Sequence, residues 1–75
     1  DMNERQRKAV AKLLEAGPKG FSGGLSAGNY QNMTGASRAT GHRDLSDLVE
    51  KGVMTVAGQG RGVRYDLNWA LTERR

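Results

Sequence analysis

Apolar residues in the first part of the chain recur at helical spacing. In NERQRKAVAKLLEAGP, residues 3–18, Val10, Leu13 and Leu14 share one side with Ala9 and Ala16 beside them. That spacing predicts a helix over residues 4–16. Asn3 is a good N-cap, and Gln6 stands three residues later as a capping box requires. Gly17 followed by Pro18 supplies the stop. The outer face carries Arg5, Arg7, Lys8 and Lys12. Such a row is either a solvated face or a set of contacts to phosphate.

The next stretch, PKGFSGGLS, is too rich in glycine for a helix. Its large apolar residues, Phe21 and Leu25, are expected to plug the core from a loop or a very short strand. SAGNYQNMTG then predicts a short helix over 26–34, capped by Ser26, with Tyr30 and Met33 three apart. Gly28 weakens it by about 1 kcal/mol relative to Ala, so it depends on tertiary packing.

TGASRATGHRDLSDLVEKG predicts a third helix over 37–51. Ser37 caps it and Gly52 is placed to end it. Gly41, Leu45, Leu48 and Val49 fall on one side, and Ala39, Thr40, Arg43, Ser46, Asp47 and Glu50 on the other. The turn between the second and third helices is short and contains glycine, the signature of a helix-turn-helix.

After Gly52 the period changes to two. VMTVA (53–57) is β-branched and apolar. VRYDL (63–67) alternates, with Val63, Tyr65 and Leu67 on one side and Arg64 and Asp66 on the other. The glycine-rich 58–62 segment between them makes a hairpin tip. Residues 68–75 form a tail with Trp69 as a potential anchor and an end expected to fray. Helix, short strand or loop, helix, turn, helix, hairpin is the order of a winged helix-turn-helix. The expected fold is therefore a small α+β domain over 1–67 followed by the tail.

Length and composition agree with one small domain: 75 residues, a scale at which a chain can fold alone but buries little surface. Without cysteine there is no disulfide framework and no thiolate zinc site. No apolar run approaches a membrane span, and a cytoplasmic location is the simplest expectation. Asp1 rather than Met at the start is expected to mark a piece of a longer protein. The 12 Lys and Arg residues outnumber the 8 Asp and Glu, for a net charge of +4, which favours a polyanionic partner or serves solubility alone.

Catalysis finds little support. The single histidine has no second His or Cys to complete a metal set. Ser37, His42 and Asp44 lie within two turns of one helix and do not converge as a triad. The GQGRG loop leads into a strand, not a helix, so it is not a phosphate-binding loop of the nucleotide-binding type. It is either a plain turn or a wing that touches DNA. No cofactor is expected.

Charge order along the third helix is more informative. Arg38, His42 and Arg43 come first, whereas Asp47 and Glu50 come late. In helix-turn-helix proteins the N-terminal residues of the recognition helix reach the base edges. Ser37, Arg38, Thr40, His42 and Arg43, with Gln59, Arg61 and Arg64 of the hairpin, are the candidate DNA contacts. Arg43 is the leading one. The competing reading pairs Arg43 with Asp47 as a surface salt bridge four residues apart.

Three blocks, NERQRKAVAKLLEAG, YQNMTGASRATGHRDLSDLVEKGV and GQGRGVRYDL, closely resemble the winged-helix domain at the C-terminus of many bacterial Fic (filamentation induced by cAMP) proteins. The resemblance covers about residues 2–68. Its most specific part is Thr34 to Arg38, then Arg43-Asp44-Leu45 and Asp47 to Gly52. DeoR-like transcription regulators share a looser form of this helix. The resemblance implies a parent enzyme that transfers AMP from ATP to protein hydroxyls, through a separate domain with a His-Pro-Phe-x-x-Gly-Asn-Gly motif. That motif does not occur in this chain, so no catalytic residue carries over and an accessory role is implied. Relative to the family pattern, Ala39 replaces a basic residue, Gly41 an Ala and His42 a Thr.

Two functions are consistent with these features. One is duplex DNA binding by helix 37–51 with residues 58–62 as the wing, and such readers often pair as homodimers over two half-sites. The other is an interaction or autoregulatory module that docks on the attached Fic catalytic domain, on a second copy or on the modification target.

Overall fold

Asn3 starts the first helix as its sequence dictates. Its side chain accepts the Gln6 N–H at 2.8 Å, and the Gln6 side chain accepts the Asn3 N–H at 2.9 Å, closing the capping box. The computed structural model describes residues 1–20 and 23–72, of which 71 and 72 by backbone alone. The order is α1 (Glu4–Ala16), α2 (Ala27–Thr34), α3 (Arg38–Glu50), β1 (Met54–Ala57), β2 (Arg64–Leu67) and a short α4 (Trp69–Thr72). Three helices followed by an antiparallel hairpin make the α+β winged helix-turn-helix arrangement. α4 is an addition: the first residues of the tail form a helical turn. The end of the tail lies outside the described residues.

α2 repeats the capping box between Ser26 and Asn29. It stops at Gly35, whose φ of 77° is left-handed and costs glycine nothing. Ser37 then accepts the Thr40 N–H at 3.2 Å and opens α3. α3 ends in a paired-carbonyl stop: Gly52 N–H bonds Val49 and Val53 N–H bonds Leu48, both at 3.0 Å.

In the hairpin, Met54 pairs with Leu67, Thr55 with Asp66, Val56 with Tyr65 and Ala57 with Arg64. β2 also has a neighbour on its other edge. Leu25 exchanges two backbone hydrogen bonds with Tyr65, each 2.7 Å. This is the very short strand expected of Leu25; Phe21 lies outside the described residues. Gly24, just before it, must be glycine, because a Cβ there would stand 2.4 Å from the Tyr65 carbonyl oxygen and its φ is +89°.

The core joins Ala9 and Leu13 of α1, Leu25, Tyr30 of α2, Leu45 and Leu48 of α3, and Met54, Tyr65 and Leu67 of the hairpin. Each large member contributes about 1.5–3 kcal/mol by leaving water. Two helical-spacing expectations need correction. Leu14 is 49% exposed, because the core meets α1 along Gln6, Ala9 and Leu13, and Leu14 falls beside that line. Ala16 stays on that line but is the last residue of α1, where the core no longer reaches, and it is exposed. Trp69 does anchor the tail: it packs against the core, and its indole N–H donates to Asp66 at 3.2 Å.

Among the described residues, no helix is long and apolar enough to cross a membrane.

Candidate functional site

α3 has two working faces, and sequence spacing separates them. Gly41, Asp44, Leu45 and Leu48 are buried and turn inward. Arg38, Ala39, His42, Arg43 and Ser46 turn outward and line one groove of about 1240 Å³. Its opposite walls are the start of α2 (Ser26 to Gly28, with Gln31) and the hairpin (Gly60, Arg61, Val63 and Tyr65).

The inward face is held by a polar network centred on Asp44, which is 5% exposed. Arg5 Nε donates to Asp44 Oδ2 at 2.7 Å, the Tyr30 hydroxyl donates to Oδ2 at 2.8 Å, and Asn3 Nδ2 donates to Oδ1 at 3.1 Å. Burial alone pushes the Asp44 carboxyl up. The bonds from Arg5, Tyr30 and Asn3, with the Arg5 charge, outweigh it and hold the carboxyl below the usual aspartate value. Burial, and then the bond to Asp44, raises the Tyr30 phenol. Gln6, also buried, donates to the Asp44 carbonyl and to Asp47 Oδ2, both at 3.0 Å. Asp47 completes its set with Lys51 at 2.9 Å, and the Gln6 and Lys51 bonds lower its carboxyl.

These contacts decide the alternative for Arg43. Asp47 is engaged by Gln6 and Lys51, and the Arg43–Asp47 pair does not form. The side chains of Arg38, His42, Arg43 and Arg61 make no hydrogen bond or ion pair with any described residue. No described carboxylate lines the groove they share. Three unpaired guanidinium groups on a concave surface free of carboxylates raise the local concentration of anions. The α2 N-terminus adds backbone N–H groups at the same wall, the end of a helix that favours negative charge.

The wing tip is built by glycine. Residues 60–62 form a 3₁₀ turn that carries Arg61. Gly58 has a φ of +88°, and a Cβ there would lie 2.3 Å from the Gly62 carbonyl oxygen. Only glycine closes so tight a loop.

Four of the sequence-derived candidates, Arg38, His42, Arg43 and Arg61, meet in this groove. Ser37 is exposed beside it as the cap of α3. Thr40 is half-buried, and neither it nor exposed Gln59 and Arg64 lines the groove. The α2 wall is not legible in the sequence; Ala39 and Ser46, expected on the outward side of the third helix but not as contacts, line the groove as well. Ser37, His42 and Asp44 stand in three separate settings: a cap, the groove and the α1 contact. Among the described residues, no group of three or more His, Cys, Asp or Glu side chains comes together as a metal ion would need.

No family model matches the chain, and no curated protein is similar enough to count as a match.

Proposed function

We propose that this domain binds duplex DNA, with α3 as the recognition helix and the Gly58–Gly62 loop as the wing. In its parent protein it serves as the C-terminal accessory domain of a Fic-type AMP transferase in the cytoplasm. The observation that carries the DNA reading is the groove between α3 and the wing, where Arg38, Arg43 and Arg61 are unpaired and no described carboxylate intrudes. Phosphate neutralisation supplies most of the affinity in such interfaces, and base contacts supply the choice of sequence. Arg61 on the wing and Arg38 at the helix start both line the groove and are available to phosphates. The domain contributes no catalysis of its own; AMP transfer belongs to the attached domain.

Titration with a generic duplex at low salt, followed by NMR, tests the reading. Shifts at residues 37–43 and 58–64 are expected, with affinity falling as salt rises. Arg61→Ala is expected to reduce the slope of log affinity against log salt by about 1. Unmoved signals at both segments would sink the idea.

A second reading rests on Leu14, half-exposed on α1 away from the groove. It is a docking point for the attached enzyme or a second copy. Sedimentation of the parent protein with Leu14→Lys, unchanged from wild type, would exclude it.

A further inference from the structure

The outward stripe of α3 is uneven. Ala39, His42, Arg43 and Ser46 follow the i, i+3, i+4, i+7 spacing that lines up one face of a helix. The two ends are short side chains, and the two long ones stand in the middle. Arg43 has its full length available, because the nearby carboxylates are taken: Asp44 by Arg5, Tyr30 and Asn3, and Asp47 by Gln6 and Lys51.

The geometry points to a compact two-residue base reader within the DNA site, on whose existence this inference rests: Arg43 selects a guanine, and Ala39 selects a thymine about two base-pair steps away. A free guanidinium presents two parallel N–H groups that match O6 and N7 of guanine in the major groove. Ala39, exposed and one turn nearer the start of α3, offers only a methyl group. Its match is the C5 methyl of thymine. One helical turn of four residues rises about 6 Å. Base pairs are spaced about 3.4 Å along the duplex, which sets the two-step separation. A longer basic side chain at position 39 would bridge to a phosphate and leave that base unread. The short residue therefore exchanges a backbone contact for a choice of base.

A selection from duplexes with a randomised six-base core, read by sequencing the bound fraction, tests this inference. Enriched cores are expected to carry guanine and thymine two steps apart. In the best core, replacing that guanine by 7-deazaguanine, or Arg43 by Ala, should weaken binding by about 5- to 150-fold. 7-Deazaguanine removes only N7 and leaves O6 to accept, so combining the two should cost no more than Arg43→Ala alone. Replacing the thymine by deoxyuridine, which lacks only the methyl, should weaken wild-type protein and leave Ala39→Gly unaffected. Binding with equal affinity to every core would overturn this inference and leave the DNA reading standing. Failure to bind any duplex, with circular dichroism showing a folded domain, would overturn both.

Discussion

Asp47 bonds Lys51, one turn ahead of it, and turns no charge toward Arg43, one turn behind. Arg43 is therefore idle as far as the fold is concerned. Arg43→Ala should leave thermal stability within about 0.5 kcal/mol of wild type while it weakens DNA binding. A thermal melt checks this. A loss above about 1 kcal/mol would mean that Arg43 supports the fold.

Asp44 is the opposite case. Its side chain receives Arg5, Tyr30 and Asn3, so Asp44→Ala strands a buried hydroxyl and opens the α1–α3 contact. The expected loss is about 1–3 kcal/mol in urea unfolding. Asp47→Ala, at a half-exposed site, should cost clearly less.

Asp44 also contributes to the acid limb of stability. The carboxyl is held below its ordinary value in the folded state. Its contribution is then complete above the unfolded value of about 3.9 and drains away as pH falls through the folded value. Melting temperature should drop in that acid window, and Asp44→Asn should show a flatter limb there. An equally steep limb in Asp44→Asn would assign acid unfolding to other carboxylates.

Two glycines should respond to alanine in opposite directions. Gly41 sits inside α3 with ordinary helical backbone, and a Cβ would meet Gln31 Cγ at 3.3 Å. Gln31 lines the open groove and can move aside. Gly41→Ala should therefore stabilise by about 0.4–1 kcal/mol, raising the melting temperature by several degrees. Gly24→Ala would drive a Cβ into the rigid Tyr65 carbonyl, and is expected to unfold the Leu25–Tyr65 bridge and lower the melting temperature.

The wing glycine separates binding from stability. Gly58→Ala would collide with the Gly62 carbonyl and displace Arg61. The tip is exposed and free to shift, so the melt should fall less than in Gly24→Ala. DNA affinity should fall as far as in Arg61→Ala. A full-affinity Gly58→Ala would show that the wing needs no fixed shape.

Local chemistry explains what could be read from the sequence. The Asn3–Gln6 box, the Ser26 and Ser37 caps, the stops at Gly35 and Gly52 and the alternation of VRYDL each involve residues a few positions apart. Their elements appear within a residue of where the sequence puts them. What escaped reading depends on partners far along the chain. Asp44 looks like a surface aspartate until Arg5, 39 residues earlier, is brought against it. Leu14 fits a helical stripe and is left half-exposed because the buried line runs through Gln6, a polar residue, to Ala9 and Leu13. At the groove, the outward stripe of α3 was legible, whereas the α2 wall depends on how the two helices cross.

Arg43 and Asp44 are neighbours on one helix, one exposed and the other buried, and Asp44 is tied to α1 and α2 before any ligand arrives. The backbone that presents Arg43 thus loses its freedom during folding. Little ordering of α3 remains for the moment of association. Calorimetry should register this as a heat-capacity change that matches the area covered on the DNA, without the excess that accompanies a segment folding onto its target.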